Sequence, residues 1–134
     1  KYFIINRAAT LAIEMNKAWH IKNKINIALM KKGANLLLGT HDFSTFRSSS
    51  CSAKSPIRTL KKISIKKNKN KIVLTFVSRS FLQQQVRSMV GSLKQLGEGK
   101  WNYEYFSKVF YSKKRSLCAS PAPAHGLYLT RINY

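Results

Sequence analysis

Acidic residues are what this chain has least of. Its 134 residues hold 4 Asp plus Glu against 25 Lys plus Arg, for a formal net charge of +21. The carboxylates are Glu14, Asp42, Glu98 and Glu104, and no two lie close in sequence. Acid–base chemistry by a carboxylate pair therefore has no local support. Cys51 and Cys118 are too few and too far apart for a disulfide framework or a zinc site, and read as plain thiols. His20, His41 and His125 form no H-x-x-H spacing that would suggest a metal. No apolar run approaches the roughly 20 residues a membrane span needs, and no signal peptide is visible. The expected compartment is the cytoplasm.

What is present fits a folded domain with an anionic partner. Apolar residues make up 44% and aromatics 11% of the chain, enough for a core. A single domain of this length buries roughly two-thirds of its unfolded surface. Lys, Asn and Ile are abundant, as a low-GC genome would produce, but that bias does not remove glutamate. The depletion of acids is thus read physically. Lys and Arg neutralise phosphates and release counterions, which makes nucleic acid the favoured partner. A membrane surface would call for one basic amphipathic helix, and no helical segment here concentrates the charge.

The pattern predicts an α+β fold, a mixed or antiparallel sheet with helices packed on one face, in one domain over 1–134. Tyr2-Phe3-Ile4-Ile5 opens as a strand and Trp19-His20-Ile21 as a short extended piece. From Ile25 the spacing of Ile27, Met30, Ala34, Leu37 and Leu38 predicts a helix, with Gly39 as its left-handed cap. A Ser-rich loop is expected from Thr40 to Pro56. Strands over Ile57–Lys66 and Lys71–Val77 enclose a polar turn and make an antiparallel hairpin. A helix from about Phe81 to Leu96 buries Leu82, Val86, Met89, Val90, Leu93 and Leu96. Tyr103, Phe106 and Phe110 mark a shorter helix. A loop with Pro121 and Pro123 leads to a last strand over Leu127–Tyr134.

Three segments go beyond packing. They are Gly39-Thr40-His41-Asp42-Phe43-Ser44-Thr45-Phe46 with Lys54-Ser55-Pro56-Ile57-Arg58-Thr59; Phe81-Leu82-Gln83-Gln84-Gln85-Val86-Arg87-Ser88-Met89-Val90-Gly91-Ser92-Leu93; and Ser120-Pro121-Ala122-Pro123-Ala124-His125-Gly126-Leu127-Tyr128-Leu129. In this order and spacing they resemble the C-terminal half of the bacterial tRNA pseudouridine synthase A family, over essentially the whole chain. The resemblance implies the C-terminal half of the pseudouridine synthase fold, and isomerisation of uridine to pseudouridine in the anticodon arm of tRNA, at positions 38 to 40. It implies a homodimer with no metal and no organic cofactor. The family's nucleophile is an aspartate in an Arg-Thr-Asp motif of the N-terminal half. That motif is absent here, and the family's substrate-stacking tyrosine falls upstream of Lys1. The chain is therefore expected to be a fragment that is inactive alone.

The resemblance matches Arg87 to the arginine that pairs with the catalytic aspartate. On a helical wheel Arg87 lies at the edge of the buried stripe with Gln83 and Gly91 at i−4 and i+4, and Gly91 would admit another backbone or a ligand. Leu127 and Leu129 either wall the target base or belong to the core. Arg58, Lys54 and Arg79 are candidates for phosphate contact. Arg47, with Ser48-Ser49-Ser50, forms a donor-rich loop, and His41 joins this RNA-facing set. Asp42 is expected to cap a local turn, and Phe43 and Phe46 to be core. The competing class is a non-catalytic basic RNA-binding protein, of ribosomal type or a tRNA-binding remnant. In every nucleic-acid reading the affinity for RNA falls steeply with salt, by a log–log slope of about −0.7 to −0.9 per phosphate neutralised. Filter binding across a salt series checks this, and a flat response would contradict it.

Overall fold

The computed structural model describes residues 2–6, 19–48 and 54–128. Among these residues six strands and three helices follow in the order β1 (Tyr2–Asn6), β2 (Trp19–Ile21), α1 (Ile27–Leu37), β3 (Gly39–Asp42), β4 (Ile57–Leu60), β5 (Lys62–Asn68), β6 (Lys71–Val77), α2 (Gln85–Gly97) and α3 (Tyr103–Ser112). Single 3-10 turns lie at Ser44–Phe46, Arg115–Leu117 and Ala124–Gly126. A mixed sheet has the order β2-β1-β6-β5, with β1 and β2 parallel and the other pairs antiparallel. A separate antiparallel ribbon pairs β3 with β4. This is the expected α+β class.

Register explains the core. Tyr2 and Ile65 lie opposite Leu74, Ile4 opposite Ile72, and Ile63 opposite Phe76. Side chains alternate across a strand, so these residues share one face. Tyr2, Ile4, Ile65, Ile72, Leu74 and Phe76 are buried there, while Val73 and Thr75 on the other face are half-exposed. Met30, Ala34 and Leu37 of α1, and Met89, Leu93 and Leu96 of α2, belong to the same buried cluster. The helices cross closely at Gly33, where an added Cβ would lie 2.5 Å from a Leu96 methyl and 3.1 Å from one of Leu93.

Several boundaries differ from expectation for identifiable reasons. The helix α1 starts at Ile27, because the Asn26 side chain accepts the Leu29 N–H at 3.2 Å as its N-cap. It ends in extended backbone at Leu38, which is 36% exposed and outside the buried stripe. Gly39, at φ +94°, opens β3 and does not cap the helix. The expected Ser-rich loop thus begins as a strand and continues as a 3-10 turn. The expected strand over 57–66 is two. At Lys61 the chain leaves the ribbon for the sheet, and its N–H donates to the Val77 carbonyl at 2.8 Å. Phe81–Gln84 is not helical, because Gln84 takes a left-handed φ of 63°. The buried Gln85 side chain instead accepts the Leu82 N–H at 2.9 Å, and Leu82 enters the core from a loop. Only Leu127 and Tyr128 of the expected last strand fall within the described residues; Leu127 bridges to Tyr2. Phe43 and Phe46 are core, and Asp42 accepts the Ser44 N–H at 2.9 Å, as anticipated.

The junction of α1 with α2 is held by charge as well as packing. Asn26 N–H donates to the Gly97 carbonyl at 2.8 Å. Next to it the Glu98 side chain, 1% exposed, lies 2.6 Å from Lys94 Nζ and accepts from Asn23 at 2.5 Å. Burial alone would raise the Glu98 pKa, but Lys94, Asn23 and Lys100 together hold it below the usual glutamate value. A depressed carboxylate contributes stability above its unfolded pKa and loses it as pH falls through the folded value. Glu98→Gln should therefore lower stability at neutral pH, by about 1.5–3 kcal/mol for a charge-assisted bond, and the deficit should vanish on acidification below the glutamate range. Urea midpoints across a pH series measure this; a deficit independent of pH would refute it.

Candidate functional site: Arg87 and the loop that holds it

Arg87 lies in the first turn of α2, a helix buried on most sides. Two reciprocal bonds tie it to the 120–126 segment. Its Nε donates to the Ala122 carbonyl at 2.7 Å, and the Ala122 N–H donates to the Arg87 carbonyl at 2.9 Å. Such an approach requires a helix face without a side chain one turn on. Gly91 provides it, since an added Cβ would collide with the Ser120 carbonyl oxygen. The neighbour that Gly91 admits is therefore backbone.

The segment is braced from beneath by Tyr2. The phenol donates to the Pro123 carbonyl at 2.5 Å, and Gly126 lies so close that an added Cβ would be 2.7 Å from the ring. Burial pushes the Tyr2 pKa far up, more than the nearby Arg87 charge draws it down, so the phenol stays a donor at all ordinary pH. The beginning of β1, the first turn of α2 and the Pro-Ala-Pro segment thus form one unit. Among the described residues the Arg87 Nη groups have no acceptor and no carboxylate pairs with the guanidinium. One edge of the fork is anchored and the other is free to take a carboxylate bidentately.

Arg115 completes the frame and was not anticipated. In a Lys113-Lys114-Arg115 run it reads as solvated charge. Its Nη1 donates to Ser88 Oγ at 2.6 Å and its Nη2 to Gln84 Oε1 at 3.1 Å, across the start of α2. The one available signal was Ser88 and Ser92 on a helix otherwise buried by apolar side chains. Both serines are fully buried, and hydroxyls there require partners. Cys118 is the neighbour of Ser92, 3.6 Å from Oγ to Sγ, and burial pushes its thiol pKa up.

The other expected site residues are distributed differently. Gln83 is exposed and precedes the helix, so it does not sit one turn before Arg87; its carbonyl accepts the Ser48 N–H at 2.9 Å. Leu127 is 38% exposed beside Tyr2, and Leu129 lies outside the described residues. Arg58 and Arg79 line one hollow of about 490 Å³ with Lys61. His41 and Arg58 are direct partners across β3 and β4. The His41 ring stacks edge-on to Phe43 and Phe110, with Nε2 2.6 Å from the Leu38 carbonyl oxygen. Lys54 is exposed before β4, and Arg47 is half-buried at the end of a 3-10 turn. Among the described residues no three of His, Cys, Asp and Glu gather into a metal-holding group, and no helix is long and apolar enough to cross a membrane.

Gly91→Ala tests the frame directly. Ser120 must move, and its loop carries the Arg87 partner, so destabilisation of about 1–3 kcal/mol is expected, as for overpacking. An unchanged urea midpoint would show that the contact is not tight.

Residues 34–134 match a family model described as tRNA pseudouridine synthase. The chain is 58% identical over 134 residues to tRNA pseudouridine synthase A of Pelagibacter ubique, covering all of this chain and 54% of that protein. It is 44% identical over 133 residues to the protein of the same name from Methylocella silvestris, and 43% over 133 residues to that from Maricaulis maris. These alignments cover 99% of this chain and 54% and 53% of the two relatives. The chain thus spans about half the length of the curated relatives it matches. A matching model over most of the chain and identities of this size lead to one conclusion: the chain belongs to the tRNA pseudouridine synthase family.

Proposed function

We propose that this chain is the C-terminal, tRNA-holding half of a pseudouridine synthase acting on the anticodon arm, at positions 38 to 40. The observation that carries the reading is the state of Arg87. Its Nε is fixed on the Ala122 carbonyl and its Nη edge is uncommitted, in a family member with no Arg-Thr-Asp motif of its own. The nucleophilic aspartate then comes from the half of the family's length that this chain does not span. The guanidinium keeps that carboxylate ionised and sets its direction through two parallel hydrogen bonds.

The target uridine is stacked in the arm and has to be extruded first, at a cost of a few kcal/mol that backbone contacts offset. The aspartate attacks the nucleotide and the bond from base nitrogen to ribose breaks; the base then turns and rejoins through C5, the aspartate is released, and the freed base nitrogen takes up a proton. The C5 hydrogen leaves to solvent. Leu127 and Leu129 wall the turned base on this reading, while Gln83 lies in the loop before α2 and the space at Gly91 is taken by the Ser120 carbonyl. Arg58, Lys54, Arg79, Arg47 and His41 face the RNA backbone. The same reading carries a cytoplasmic homodimer. A purely structural RNA-binding role is less well supported, because it gives the anchored, half-free Arg87 no task.

In the complete enzyme Arg87→Ala should abolish turnover and leave tRNA affinity nearly unchanged. Arg87→Lys should not rescue it, since a point charge cannot make the forked contact. Tritium release from C5-labelled tRNA measures the first and filter binding the second; wild-type turnover in the alanine variant would refute the role. The same release assay on this chain alone should give no product, and an added N-terminal half should restore it. Activity without that half would show that the nucleophile is present here.

A further inference from the structure

Where β4 and β5 part at Lys61, the chain leaves a hollow of about 490 Å³ walled by Arg58, Thr59 and Lys61 on one side and Ser78, Arg79 and Ser80 on the other. The Arg58 guanidinium is built in: its Nη1 donates to the carbonyls of Ser55 at 2.9 Å and Ile57 at 2.7 Å. Its Nε is shut off from water and has no acceptor. A buried, unsatisfied N–H on a fixed cation is costly unless an acceptor reaches it when the site is filled. Among the described residues no carboxylate pairs with Arg58, Lys61 or Arg79, so three positive charges face the hollow uncompensated. No aromatic ring lines it, which removes base stacking, and the remaining donors are hydroxyls.

We propose that this hollow is a phosphodiester site that grips the RNA backbone through Arg58, Lys61 and Arg79 acting together. Resting on the tRNA-modifying reading above, it adds a single anchoring site separate from Arg87, to which Lys61 and the two serines belong. The guanidinium of Arg58 is held in place by its two carbonyl contacts. Arg79 and Lys61 supply charge from opposite walls. Residues 78–80 lead into the loop that opens α2, so the strand held here is held on the segment that delivers Arg87. Phosphate contacts of this kind position a nucleic acid without reading its sequence.

The test uses the full-length protein with an anticodon-arm hairpin. Arg58→Gln with Arg79→Gln should raise Kd and KM at least tenfold at physiological salt. It should also make the log–log salt dependence shallower by about two, roughly 0.9 for each phosphate no longer neutralised, while kcat at saturating RNA stays as in wild type. Arg79→Gln alone, an exposed change that does not threaten folding, should remove about one unit of slope. A pair of equal charge losses outside the hollow, Lys31→Gln with Lys108→Gln, sets the comparison. An Arg58/Arg79 variant with unchanged slope, or one no different from the lysine pair, overturns the proposal. Failure of the tRNA-modifying reading looks different, because Arg87→Ala would then keep its turnover whatever the hollow variants do.

Discussion

Everything that sets the direction of Arg87 depends on one close approach, that of the 120–126 segment to the start of α2. Two reciprocal bonds between Arg87 and Ala122 hold it, and they form only because Gly91 leaves room for the Ser120 carbonyl. Tyr2 closes the arrangement from the sheet, Arg115 from the far side of the helix. These bonds act together. Their effect is geometric: a long, freely rotating arginine side chain is reduced to one outward-facing edge. An arginine that must orient another carboxylate benefits more from such anchoring than from extra charge nearby.

The scarcity of acids and their placement belong together. Asp42 holds the turn after β3, where burial opposes ionisation but Ser44, Lys113 and Arg47 lower its pKa on balance. Glu98 holds the junction of α1 and α2. Both are committed to architecture, so they do not neutralise the basic residues around Arg58 and Arg79. Among the described residues no carboxylate pairs with either arginine, so their positive charge is not offset there.

Much of this was legible in the sequence. Two apolar stretches around a polar turn identified the β5–β6 hairpin, and period-3.6 spacing identified all three helices. The Phe43 and Phe46 core and the Asp42 turn also followed from residue type. The errors share a cause. Leu82 fits the helical period of α2 but reaches the core from a loop, because Gln84 takes a left-handed conformation that starts the helix later and the buried Gln85 side chain accepts the Leu82 N–H. Ile57–Lys66 reads as one strand because alternation does not record which sheet each residue joins. Arg115 was not singled out because its partners, Gln84 and Ser88, lie 31 and 27 residues away. Contacts of that range leave no local trace; Arg87 was singled out through a motif rather than through periodicity.

The glycines and serines of α2 carry a consequence for the way the domain folds. Two glycines and two serines in 13 residues make a weak helix in isolation. Its anchors join residues 35 positions apart at Ala122, and the brace at Tyr2 spans 121. Contacts so distant in sequence carry a loop-closure cost that local helix formation does not repay. The arginine's geometry is thus a product of the tertiary structure: an isolated α2 helix lacks the Ala122 carbonyl that anchors it, and displacement of the 120–126 segment removes that anchor.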